Sequence, residues 1–198
     1  MDEIQKEYKP MTQQNLAQLG PAALAELAQV ISKVSEKQMS DLISALQSAQ
    51  KIILHGLGRE GLQMRGLTMR LFHLGLDVHM QGEVTSPPLG KGDLFFASAG
   101  PGDFTTIAAL VDIAKKAGAK IAIVTAQPQS HLAKNADYVL HIPAQTMADD
   151  QAAKTSVLPL GSLYEASMML TFELLVLKLR PALGESFETM RARHTNME

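Results

Sequence analysis

Residues 51–61, KIILHGLGREG, decide how this chain folds. The run 51–55 is apolar, too short for a helix and closed by glycines, which is the pattern of a buried strand. Gly56, Gly58 and Gly61 let the backbone turn tightly, and apolar residues then recur at helical spacing over 61–74. A strand passing through a glycine turn into a helix is the first half of a β-α-β unit. Outward from it the alternation repeats. Residues 77–80, 93–97, 120–124 and 138–142 read as four more short strands, with a helix after the third that runs through Lys116. Such alternation predicts an α/β fold with a five-stranded parallel sheet flanked by helices on both faces.

Upstream, residues 11–50 read as two helices. Leu24, Leu27, Ile31 and Val34 recur at helical spacing, Met39, Leu42, Ile43 and Leu46 continue the pattern, and Pro21 suits a first helical turn. Downstream, residues 144–157 are polar and form the longest irregular stretch, read as a surface loop with a lid as the alternative. A long helix over about 161–179 and a short one after Gly184 complete the chain. The whole of 1–198 reads as one domain, with its terminal helices packed on the core or on neighbouring subunits.

Composition narrows the function classes. The chain of 198 residues is 46% hydrophobic and 19% charged with a net charge of -2, and no block of Lys and Arg stands out. Nucleic acid and anionic membranes, which need a concentrated basic face, are therefore not expected partners. There is no cysteine, which removes disulfides, thiolate metal sites and thiol nucleophiles together. His55, His79, His131 and His141 show no metal-like spacing. Residues 1–10 are polar and lack an apolar signal core, so a cytoplasmic location is expected. The most apolar stretch, 158–179, is interrupted by Glu165 and Glu173 and reads as a buried or interface helix, not a membrane span.

Three strand ends converge on one chemistry. Gly56-x-Gly58-x-x-Gly61 has the spacing of dinucleotide-binding turns, and Glu83 stands about 22 residues on, where a ribose-binding acid belongs. The same glycines also serve a plain strand-to-helix turn, so both readings stay open. The third strand ends in a second glycine turn, Ser98-Ala-Gly100-Pro-Gly102, and Thr125 closes the fourth. Open α/β sheets bind ligands beyond the carboxyl ends of their strands. Two glycine turns and a threonine at that edge favour a compact ligand held by several loops.

With these residues in place, a resemblance becomes specific. Gly56-x-Gly58-Arg59, the run Met69–Gly75 (MRLFHLG), Thr85-Ser86-Pro87, the run Pro159–Glu165 (PLGSLYE) and the C-terminal Arg193-His194 together resemble the sugar isomerase (SIS) domain family, most closely its 6-phospho-3-hexuloisomerase branch. The correspondence runs in order from Lys51 to Glu198. The resemblance implies a flavodoxin-like three-layer sandwich, a homodimer or homotetramer with sites between subunits, and isomerisation of a ketohexose 6-phosphate through an enediol without cofactor. It also implies Glu165 as the base and His73 near the substrate of a neighbouring subunit. Gly58, Arg59, Glu60, Thr85, Ser86, Ser98, Gly100, Gly102, Thr105, Thr125 and His194 fall at its substrate-binding positions.

This chain departs from that pattern where a phosphate would bind. The branch usually has Ser at the position of Glu60, and hydroxyls at the positions of Ala99, Pro101, Phe104 and Ala126. Each lost hydroxyl removes a bond worth roughly 1.5–3 kcal/mol to a charged group. Ser98, Thr105, Thr106 and the loop amides remain to rebuild part of the cradle. The departures leave a second reading beside the isomerase: a protein that binds a sugar derivative, as ligand or regulator, without turning it over.

Overall fold

The structure is a computed structural model that describes residues 15–150 and 156–197. The polar N-terminus, residues 11–14 of the first expected helix, the middle of the irregular stretch and Glu198 lie outside the described residues. In chain order the elements are α1 (Leu16–Ile31), α2 (Glu36–Ser48), β1 (Ile52–His55), α3 (Gly58–His73), β2 (Val78–Met80), β3 (Leu94–Ser98), α4 (Thr105–Lys116), β4 (Lys120–Thr125), α5 (His131–Lys134), β5 (Tyr138–His141), α6 (Ser162–Ala182) and α7 (Phe187–Ala192).

All five strands are parallel, in the order β2-β1-β3-β4-β5, with Ile52 level with Val78 on one side and Leu94 on the other. The side chains alternate across the sheet with the period of two that a strand imposes. Ile52, Leu54, Phe96 and Val124 pack in one cluster with residues of α1, α2, α3 and α6. Ile53, Phe95, Ile121 and Ile123 pack in the other with α4 and α5. Right-handed crossovers explain the division: the chain goes one way from β1 to β2 and the other way from β3 to β5, so the helices land on opposite faces. The three layers follow from the sequence pattern.

Two local features differ from the expected ones. α1 begins at Leu16, so Pro21 lies inside it; Asn15 and Gln18 form a capping box that starts the helix earlier. α5 was not expected, because four residues show no helical period. It is held by the Ser130 cap and by Asp103, whose carboxylate accepts the His131 and Leu132 N–H groups at 3.0 and 2.9 Å.

The described part of the irregular stretch is folded onto the body of the protein. Asp149 Oδ1 accepts the Thr146 N–H at 2.7 Å and its hydroxyl at 3.1 Å, and Thr146 is buried. Past the undescribed residues, Glu26 of α1 accepts the Ser156 hydroxyl at 2.6 Å and the Val157 N–H at 3.0 Å. Removing that carboxylate leaves both donors without this partner. Glu26→Ala is therefore expected to lower the unfolding free energy by about 1–3 kcal/mol, read as a lower urea midpoint at unchanged m.

At the other end of the chain Arg193 ties α7 to α3. Its guanidinium donates to the His73 carbonyl at 2.9 Å and to both oxygens of Glu185 at 2.8 and 2.9 Å. Arg193 and then the Thr189 hydroxyl hold the Glu185 carboxyl down at about 2. His194 follows, its ring 5.1 Å from that of His73. No described helix is long and apolar enough to cross a membrane.

Candidate active site

The sheet order reverses between β1 and β3, and the turns that follow those strands diverge there. A cleft of about 340 Å³ opens at this point. It is lined by residues 57–60 at the head of α3, Pro101 and Phe104 after β3, Thr146 and Met147, and Leu160, Gly161, Tyr164 and Glu165 at the head of α6. The stretch read as a surface loop thus supplies one wall.

The first glycine turn serves packing. A Cβ on Gly61 would stand 2.5 Å from the Gly56 carbonyl oxygen, so β1 and α3 can meet this closely only through glycine. Gly58, in contrast, has open space where a Cβ would stand, and it is its φ of 51°, a conformation L side chains rarely adopt, that favours glycine there. Glu83, the candidate ribose acid, is exposed and pairs with Arg65 at 3.3 Å. The spacing is accounted for without a dinucleotide.

Charge in the cleft comes from Arg59, Glu60 and Glu165. Glu165 is only 8% exposed, and Arg59 Nε donates to its Oε2 across the α3–α6 contact. Glu60 reaches the turn after β3: its Oε2 accepts the Ser98 hydroxyl at 2.5 Å and the Gly100 N–H at 2.9 Å. Burial raises the Glu60 pKa and the charge of Glu165 raises it further, while the Ser98 and Gly100 hydrogen bonds pull it down. Behind this pair Tyr164 is fully buried, its hydroxyl 3.4 Å from Ser98 Oγ; burial first, then Glu60, pushes the phenol well above its ordinary range.

Helix ends separate the cleft from the rest of the surface. Among the described residues, α1, α2, α5 and α7 begin on the side-chain caps Asn15, Ser35, Ser130 and Ser186. α3, α4 and α6, whose heads line the cleft, have no side-chain cap. The first-turn N–H groups of α3 and α4 and the positive ends of all three dipoles face anionic oxygen, whereas in α6 the Ser162 and Tyr164 N–H groups already donate to the Pro159 and Gly161 carbonyls at 2.8 and 3.0 Å.

A model described as the SIS domain matches residues 45–170. The chain belongs to the SIS domain family. It is 31% identical over 175 residues to a 3-hexulose-6-phosphate isomerase of Bacillus subtilis (strain 168), covering 88% of this chain and 95% of that one. A protein of the same name from Methylomonas aminofaciens is 35% identical over 175 residues, 88% of this chain and 96% of its own. A solved structure from Methanococcus jannaschii, a hypothetical protein for which the function of 3-hexulose-6-phosphate isomerase is inferred, superposes with a TM-score of 0.78. It is 22% identical and is covered over 98% of its length by 90% of this chain.

This SIS domain brings some of the expected site residues together and keeps others apart. Gly58, Arg59, Glu60 and Glu165 line the cleft, with Ser98 and Gly100 directly behind Glu60. Thr105 is exposed on the first turn of α4, next to the lining residue Phe104. Gly102 and Thr125 are buried in the support; the Thr125 hydroxyl donates to the Ala99 carbonyl at 2.6 Å and accepts the Gln127 N–H at 2.9 Å. Thr85 and Ser86 sit in the connection after β2, outside the cleft lining. His73 and His194 meet at the other end of α3; the 13 residues from Glu60 to His73 span about 20 Å of helix. Tyr164, Thr146 and Met147 are lining residues that sequence reasoning gave no role. Tyr164 adjoins Glu165 within a motif already singled out, whereas Thr146 and Met147 carry no periodic signal.

Proposed function

We propose that this cleft isomerises a ketohexose 6-phosphate, moving its carbonyl between C2 and C3 through an enediol. The observation that carries the reading is Glu165, a carboxylate held almost out of solvent at the head of α6 and steadied by Arg59. The reaction needs one group that takes a proton from carbon and returns it to the neighbouring carbon. In the first half Glu165 takes the C–H proton as the carbonyl oxygen gains one, giving the enediol. In the second half it gives the proton to the other carbon while the other oxygen loses its own. Atoms and electrons balance with no oxidant or reductant, so the reading calls for no cofactor. The uncapped heads of α3 and α4 supply N–H groups for phosphate oxygens. The two relatives named 3-hexulose-6-phosphate isomerase support the substrate class. Incubation of the purified chain with ketohexose 6-phosphates, followed by NMR, tests it.

A second reading is favoured by one feature. Glu60 fills donors in the turn after β3, as suits a protein that binds a sugar derivative without turning it over. Absence of turnover together with ligand-dependent stabilisation would select this reading.

The same proposal makes the chain a cytoplasmic homodimer or homotetramer in which His73 and His194 of one copy serve the cleft of another. Two things support it: the length of α3 that separates His73 from Arg59, the partner of Glu165, and the exposed Met69, Phe72, Met169 and Leu177 on the adjoining helices α3 and α6. Glu165→Gln and His73→Ala subunits are each expected to be impaired alone. After mixing and exchange they should recover about a quarter of the wild-type sites, through hybrids holding one intact site. No recovery after verified exchange would overturn the shared site.

A further inference from the structure

The turn after β3 has fewer free donors than its glycines suggest. The Ala99 N–H donates to the Val124 carbonyl at 2.9 Å, the Gly102 N–H to the Ala99 carbonyl at 3.0 Å, and Pro101 has no N–H. Over residues 98–102 the Gly100 N–H and the Ser98 hydroxyl remain, and both donate to one oxygen of Glu60. A carboxylate of this chain already holds the donors that an incoming anionic oxygen would take. The turn is built around it: a Cβ on Gly100 would stand 2.8 Å from Glu60 Oε1 and 2.5 Å from the Tyr164 ring.

We propose that Glu60 is a specificity-determining residue of the cleft, competing with the ligand's anionic group for the Ser98 and Gly100 donors. An anion takes these two donors only when Glu60 leaves them or takes up a proton. The inference rests on the reading of the cleft as the ligand site and holds whether or not the ligand is turned over.

A dependence on pH follows, with a definite sign. Glu60 faces Ser98 and Gly100 from the turn after β3 and Tyr164 and Glu165 from α6, while its neighbour Arg59 is engaged by Glu165. Burial and Glu165 raise the Glu60 pKa, and the Tyr164 phenol is held neutral far above this range. Anion binding coupled to Glu60 protonation is strongest below that raised pKa. It weakens as pH rises through it, by at most about tenfold per pH unit for one linked proton.

Calorimetric titration of the full chain with sulfate, whose charge does not change over this range, tests the proposal. The wild type is expected to lose about tenfold or more in sulfate affinity between roughly pH 5.5 and pH 8. Glu60→Gln should abolish that dependence, and Glu60→Ser should bind sulfate about tenfold or more tightly than wild type at the higher pH. Equal, pH-independent affinity in the wild type and Glu60→Ser, or no binding by any of the three folded proteins, would overturn the proposal. Turnover separates it from the proposed reaction. If the wild type isomerises a ketohexose 6-phosphate and Glu60→Ser leaves its KM unchanged, the inference fails and the reaction stands. If sulfate behaves as expected and no ketohexose 6-phosphate is turned over, the reaction fails and the inference stands.

Discussion

Glu165→Gln is expected to lower kcat for carbonyl migration about 10²–10⁴-fold, with a much smaller change in KM. Glutamine has the same shape, and its amide oxygen can still accept from Arg59 Nε, so the head of α6 keeps its geometry. What it cannot do is take a proton from carbon at neutral pH. A loss confined to kcat thus reports the proton transfer, whereas a loss of binding alone would report only the ion pair. Steady-state kinetics with a circular dichroism control makes the comparison, and a variant with wild-type kcat would remove Glu165 as the base.

Gly61→Ala should destabilise the protein by about 3 kcal/mol. Two effects oppose each other at this position. Alanine in a helix is favoured over glycine by about 0.8–1.0 kcal/mol. Against that, the new methyl would stand 2.5 Å from the Gly56 carbonyl oxygen and 3.1 Å from its carbon, and neither backbone atom can rotate away. Overpacking wins, and because the strained turn carries Arg59 and Glu60, activity should fall with stability. Gly66 provides the control: it is exposed in the middle of the same helix, with nothing beyond that helix's own backbone within 4 Å of a new Cβ. Gly66→Ala should therefore stabilise by about 0.8–1.0 kcal/mol. Urea denaturation of the pair measures both signs, and destabilisation of similar size at the two positions would refute the packing argument.

The sheet was legible because its strands are short apolar runs set between helices, and burial on both faces is what produces such runs. The place of the cleft was legible for the same reason, since the glycine turns mark the ends of β1 and β3. Its contents were less so. Glu60 reads from sequence only as a negative charge near an expected phosphate. Its bonds to Ser98 and Gly100 join positions 38 and 40 residues apart, and no local pattern encodes them. Thr125 reads as a polar strand end, but the use of its hydroxyl depends on how the neighbouring turn folds over it. Thr146 and Met147 lie in a polar stretch without period; they become a wall because their backbone packs against Gly161 at the head of α6, where a Cβ would stand 2.9 Å from the Met147 nitrogen. Pro21 suggested a later start to α1, and the Asn15 capping box outweighs that signal.

The reaction proposed for the crevice between β1 and β3 is movement of a carbonyl by proton transfer. NMR of a ketohexose 6-phosphate incubated with the folded wild-type chain in D2O tests it most directly. The carbonyl is expected to move to the neighbouring carbon and deuterium to appear at the carbon reprotonated, with both signals lost in Glu165→Gln. An unchanged spectrum with the wild type, or undiminished conversion by the variant, would contradict it.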